Sequence, residues 1–319
     1  MAKINNKRGL EMSFAWIFAI VVGAVIIFLA IYSTTRLIDT EKTTQNTEIG
    51  KEIGILLTPV ETNLESGKAA IIKMPVETRI FNECKKLQGE VFGKQDISVS
   101  TKSNIGKEWE SSGIASSFQN KYIFSGDVIE GKEFRIFTKP FEMPFKIADL
   151  TFIWSSNEEY CFINPTREIE RDILDLELQG MEIVEDISLC SVNSKKVCFT
   201  RSGCDIDVDV NSQSVKKKKR TESVFYEDEL IFGAILSDLE NYECQVKRLM
   251  ARDSELSSIT ISKSLFLSSK GCGSERLQPL LGSLSNKTLE IKSSLELREI
   301  SNLAENIRRE NDNLGCRLF

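Results

Sequence analysis

The hydrophobic positions of this chain change their period along its length, and each change predicts a different kind of element. From Met12 to Thr35, 24 consecutive residues carry no charge. At about 1.5 Å of rise per residue, a helix of that length covers the roughly 30 Å of bilayer hydrocarbon. The run therefore predicts a transmembrane helix over residues 12–35, behind a short tail of residues 1–11. A soluble core helix normally keeps a polar face. A cleavable secretory signal has a shorter apolar region, about 7–15 residues, ahead of a small-residue cleavage site. Here the run is longer and leads into Tyr32, Thr34, Thr35 and Arg36, so it reads as a retained anchor.

Beyond it, Leu37, Ile38, Ile49, Ile53, Leu56 and Leu57 recur at helical spacing. They predict a helical stalk, within a linker region 36–67, that Pro59 stops. "TEKTTQNTE", residues 40–48, is polar enough to read as a hinge in that stalk. Residues 68–220 then switch to short extended runs. "DISVSTKS" alternates through Ile97 and Val99, "KYIFSGDVIEGKEFRIF" breaks at Gly126 and Gly131, and "ADLTFIW" places Leu150, Phe152 and Trp154 on one face. "EEYCFIN", "KKVCFT" and "CDIDVDV" add further strands. Between them Asn164 and Pro165 give N-cap and first-turn signals for a helix that buries Ile169, Ile173 and Leu176. Residues 221–319 are helical again, with apolar stripes through Leu236, Leu239, Val246, Leu249 and Met250 and, near the end, Leu295, Ile300, Leu303 and Ile307. The expected fold class is α+β: an N-terminal transmembrane helix with stalk, a mostly antiparallel β domain and a C-terminal helical bundle.

Composition narrows the function. A net charge of -6 argues against a nucleic-acid surface, which is normally basic. The one basic cluster, Lys216 to Arg220, reads as a solvated loop. Eight cysteines (Cys84, Cys161, Cys190, Cys198, Cys204, Cys244, Cys272 and Cys316) all follow the span. An even set in an extracytoplasmic body predicts disulfides. The spacing predicts a local bridge within Cys190, Cys198 and Cys204, with Cys244, Cys272 and Cys316 tying the C-terminal helices together. Zinc is disfavoured because there is no C-x-x-C and no histidine. Basic residues lie on both flanks of the span, but Lys3, Lys7 and Arg8 crowd the N-terminal side, and a long domain can be translocated regardless of its charge. Together with the cysteines, this predicts a single-pass protein of the cell membrane, N-terminus cytoplasmic and C-terminal body extracytoplasmic.

Catalytic constellations are scarce. Without histidine neither Ser-His-Asp nor Cys-His machinery can be assembled in this chain. "LESGKAA" lacks the first glycine and the Ser or Thr of a phosphate-binding loop. Asp205, Asp207 and Asp209 alternate along one strand and are candidate ligands for a hard cation such as calcium, against the reading of a strand with one wet face. Glu158 with Glu159 is a candidate acid–base pair, whereas Glu227, Asp228 and Glu229 read as first-turn acids favourable to a helix dipole. "FTKPFEMPF" reads as an irregular connection packed on the core, or as an exposed docking patch. Asn286-Lys-Thr is the one glycosylation sequon.

"KRG" followed by an uninterrupted hydrophobic helix resembles the N-terminus of archaeal type IV pilin-like proteins. The resemblance implies cleavage by a prepilin peptidase after Gly9, leaving Leu10 first, and an exposed helix that packs into a filament. Glu11 stands two residues past that point, whereas pilins carry their glutamate at the fifth position. "FEMPFKIADL", "YCFINP", "YECQVKRLM" and "FLSSKGC" are similar to uncharacterised archaeal single-pass proteins with the same anchor, a likeness that implies no activity. The expected function is that of a non-enzymatic, membrane-anchored envelope protein, a pilin-like subunit or surface interaction module. It would use no cofactor, would bind the lipid bilayer through residues 12–35, and would meet protein partners or assemble with itself. The alternatives are an anchored solute- or surface-binding receptor and a hydrolase using carboxylates or a Ser-Lys pair.

Overall fold

A computed structural model describes residues 14–56, 69–85, 92–103, 108–200, 203–218, 221–271 and 273–319. Tail residues 1–11 with Gly9 and Leu10, the predicted stop at Pro59, the phosphate-loop-like segment before Ala69, Cys272 and the end of the basic cluster lie outside the described residues.

Helix α1, Phe14–Leu56, is a single helix of 43 residues, about 64 Å long. Its first half projects away from the rest of the protein. Phe14 is 83% exposed and Phe28 67%, as expected for a surface whose partner is not the protein itself. The hinge expected over 40–48 does not form. The polar residues that suggested it are the ones that fasten α1 to the head: Asn46 is 1% exposed, its amide donates to Ser111 O (3.0 Å) and its oxygen accepts from Thr101 Oγ1 (3.0 Å). One turn further on, Ile49 and Ile53 enter the core.

That core is the concave side of a six-stranded sheet. Its strands are β1 (Ala69–Lys85), β2 (Lys94–Thr101), β3 (Ser116–Phe118), β4 (Tyr122–Phe124), β5 (Val128–Glu142) and β6 (Lys146–Ser155), in spatial order β3-β2-β1-β5-β6-β4. Only residues 119–121 separate β3 from β4, although these strands are the two edges. A flat sheet would put its edges about 24 Å apart, while four Cα steps reach at most about 14 Å. The sheet must therefore curl until its edges meet. Asn82 of β1 extends the ladder to β5 with its N–H on Asp127 O (2.9 Å), while its side-chain amide reaches the β4 edge at Ile123 O (3.3 Å) and Ser125 Oγ (2.7 Å). Strand alternation then divides the side chains. Ile80, Ile97, Val99, Ile123, Phe134, Ile136 and Ile153 meet α1, whereas Tyr122, Phe124, Phe137, Leu150, Phe152 and Trp154 face the C-terminal half.

The chain continues through β7 (Tyr160–Ile163), α2 (Arg167–Asp175), β8 (Met181–Val184), β9 (Lys195–Cys198), β10 (Ile206–Asp209), β11 (Ser214–Lys217) and β12 (Ser223–Phe225), a second six-stranded sheet in the order β12-β11-β10-β9-β7-β8. The expectation of mostly antiparallel pairing needs correction here: β8, β7, β9 and β10 pair in parallel, and only β11 and β12 are antiparallel. In the first sheet β4 also runs parallel to β6. The crossover helix α2 and the fully buried run of β7 are the marks of a parallel strand covered on both faces. The cap of α2 is Thr166, whose hydroxyl accepts from Ile169 N. Asn164, expected there, instead takes a left-handed φ of 49° and donates to Glu185 O.

Four helices complete the fold: α3 (Leu230–Leu236), α4 (Leu239–Ser268), α5 (Leu277–Leu289) and α6 (Leu297–Asp312). They are not a separate bundle, because one continuous core joins them to both sheets. Phe137 lies 4.6 Å from Phe152 and 5.1 Å, edge-on, from Phe232 of α3. Helix α3 approaches closely at Gly233, where a Cβ would come within 2.5 Å of Phe124 Cδ1.

Candidate functional site

Three places gather the chemistry-bearing residues: the junction of α1 with the head, the seam under α4, and a cleft between the two sheets. At the junction, Lys42 pairs with Glu110 (3.0 Å) and Thr47 Oγ1 accepts from Ile114 N (2.8 Å). These bonds hold the backbone of α1 against residues 110–114. Nearer the N-terminus of α1, on its exposed part, Arg36 donates to the Tyr32 hydroxyl and lies 5.6 Å from its ring centroid, an aromatic–basic pair of the type found where a span meets the interface.

Under α4, Arg248 is 0% exposed. Its guanidinium collects the carbonyls of Lys121 (2.8 Å), Gln119 (2.9 Å), Phe118 (3.5 Å) and Phe92 (3.0 Å), together with Gln245 Oε1 (2.8 Å). It therefore clamps the β3–β4 crossing that closes the first sheet. Gln245 donates to Gln95 and to Ile123 O, and Gln95 donates to Asn82. Cys84 and Cys244 bridge β1 to α4 beside this network. Cys244 thus joins the sheet to the helices, which corrects the expectation that it ties helix to helix. Cys161 pairs with Cys190, and Cys198 with Cys204, the expected local bridge; all three Cα–Cα separations, 6.0, 5.8 and 6.0 Å, suit disulfides. Cys316 is also disulfide-bonded.

The candidate cation ligands serve a different purpose. Asp207 accepts from the amides of Gly203 and Cys204, Asp209 from those of Asn211 and Ser212, and Asp205 from Lys196 N. Asp207 and Asp209 cap the turns beside them and Asp205 ties the start of β10 to β9, while hydrogen bonds from Ser212, and then Asn211, hold the carboxyl of Asp209 below the usual carboxylate range. No cluster of metal-ligating side chains occurs among the described residues. Glu158 is engaged by Lys195 (2.8 Å) and by the Tyr160 hydroxyl (3.2 Å).

The cleft has a volume of about 340 Å³ and lies between β5, α2, the β10–β11 turn and α6. Lys139 reaches Asp172 (2.5 Å) and Glu229 (3.8 Å) within it. Beside them Asp228 holds a left-handed φ of 45°, a conformation that costs energy for a residue with a Cβ. Burial raises the carboxyl pKa of Asp228, helped by Glu168 and opposed by Arg308; burial also raises that of Glu229. The expectation that Glu227, Asp228 and Glu229 are first-turn acids needs correction: α3 begins at Leu230 and its first turn holds no acid, Glu229 at the cap position makes no side-chain capping bond, and Asp228 and Glu229 line the cleft. Phe137, Phe141 and Met143 are buried, so "FTKPFEMPF" packs inward. Asn286 is exposed on α5.

Lys217 donates to the carbonyl of Ser237, and the cavity beside the two is about 10 Å³, room for about one water. A substrate has no place there. The seam leaves no plain mark in the sequence. Asn241, Gln245 and Arg248 recur at helical spacing on α4, a pattern that reads as a solvated face. The mark that separates them is the charge of Arg248 set between the apolar Val246 and Leu249. Comparisons with protein-family models, curated proteins and solved structures find no match to this chain.

Proposed function

We propose that this is a non-enzymatic, membrane-anchored envelope protein, with the N-terminus in the cytoplasm, residues 12–35 in the bilayer and a disulfide-braced head on the extracytoplasmic side. It acts there as a pilin-like subunit or surface interaction module. The observation that carries the reading is the division of α1. Its first half is apolar on every side and exposed, while its second half is seated in the head through Asn46, Ile49 and Ile53. Such a helix transmits the position of the span to the head without a joint. The disulfides favour an oxidising compartment, and the free apolar half of α1 is available for the filament packing that the pilin resemblance implies. The test is the N-terminus of the mature protein and its place in the cell: Leu10 in sheared surface filaments supports the subunit. An intact Met1 or Ala2 confined to the membrane fraction contradicts the pilin-like version and leaves the anchored interaction module.

A receptor is the second reading, favoured by the cleft at Lys139, whose size falls in the range of small-ligand pockets. Solutes added to the purified head should then raise its unfolding temperature, and Lys139→Ala should abolish the rise.

A further inference from the structure

We propose that Asn286 carries an N-linked glycan, attached before α5 folds. The inference rests on the extracytoplasmic placement of the head. Helix α5 buries Leu277, Leu281, Leu284 and Thr288, and Asn286, about 200° around the helix from Leu284, is exposed. A bulky polar group on its amide nitrogen therefore projects into solvent without disturbing the core. The other half of the sequon lies inside. Thr288 is 0% exposed, and its hydroxyl donates to Leu284 O (2.8 Å) and Ser285 O (3.1 Å). A transferase that requires Ser or Thr at the third position must reach that hydroxyl, and in the folded helix it cannot. Acceptance is thus confined to the unfolded segment, and packing of α5 on α4 then hides the Thr while leaving the Asn outside.

The donor is a lipid-linked oligosaccharide phosphate. The Asn286 Nδ2 attacks the anomeric carbon, forming a C–N bond as the anomeric C–O bond to phosphate breaks. The lipid phosphate leaves with the electron pair, and the amide nitrogen gives up one proton.

The experiment takes the full chain from membranes of its native host and measures the masses of tryptic peptides ending at Lys287 or Lys292, with thiol accessibility from outside the cell recorded on the same culture. A glycan increment on these peptides is expected. It should be lost in Asn286→Gln and in Thr288→Val, which keeps the side-chain shape, and kept in Thr288→Ser. Folded protein made without glycan, incubated with the host membranes as donor and enzyme, should be modified about 10-fold or more slowly than a synthetic peptide of residues 282–292, because local opening is required first. Unmodified peptide from a head reached from outside overturns this inference alone; a cytosolic head overturns the placement beneath it too. Equal rates for folded protein and peptide overturn the order of events.

Discussion

Gly113 touches the backbone of Thr47: a Cβ at Gly113 would come within 2.4 Å of the Thr47 nitrogen and 2.6 Å of the Asn46 carbonyl carbon. Neither neighbour is a flexible side-chain tip, so helix and head are fitted to one another at main-chain level. Gly113→Val should weaken the junction by about 1–3 kcal/mol, the usual cost of overpacking. The check is trypsin cleavage at Lys42 and Lys51 in detergent, faster in the variant, with the head's disulfides intact.

The Cys84–Cys244 bridge spans 160 residues and Cys198–Cys204 only 6. In the chain-entropy account the long loop contributes about 5 kcal/mol and the short one about 2. Denaturant unfolding of Cys84→Ser and Cys198→Ser should rank them in that order.

Arg248 donates to the main-chain carbonyls of Phe92, Phe118, Gln119 and Lys121, and its removal takes that donor from all four. Arg248→Met should cost about 3 kcal/mol or more, since unmet buried acceptors carry their full desolvation penalty. Arg248→Lys should recover only part of it, because a point charge cannot span the β3–β4 crossing as a planar guanidinium does. Urea midpoints of the three proteins decide this.

Asp253 is 0% exposed; one carboxyl oxygen accepts from Ser257 and the other has no partner among the described residues. Burial raises its pKa well above the ordinary value, against a smaller opposing effect of Ser257. The folded state therefore holds a proton that the unfolded state releases near pH 4. Its contribution is fully present below that pH and is lost as pH rises toward the folded value. Glu227, Asp228 and Glu229, also raised by burial, act in the same direction. Asp253→Asn should flatten the pH profile above about pH 4 and stabilise the head at neutral pH by on the order of 1 kcal/mol, as read by thermal unfolding across a pH series.

The sequence showed some of this directly. The apolar run that forms the exposed half of α1 needs no context, and alternation through Ile97 and Val99 or Leu150, Phe152 and Trp154 placed strands and faces correctly because it records burial locally. Strand direction was another matter. Tyr160 to Ile163 reads the same whether its neighbours run parallel or not, and pairing is settled by residues far along the chain. The supposed hinge at 40–48 had the composition of a loop because its polar groups, Asn46 above all, bind the head instead of water. The cleft at Lys139 is lined from five segments that lie far apart along the chain, so no local pattern announces it.

Where the head lies decides the account. Intact cells treated with a membrane-impermeant maleimide, with and without an impermeant reductant, give the direct test, because all seven described cysteines are bonded. The prediction is that the head stays unlabelled until the reductant is added and is then labelled without lysis. Labelling that needs lysis but no reductant would put reduced thiols in the cytosol and contradict the anchored, extracytoplasmic head.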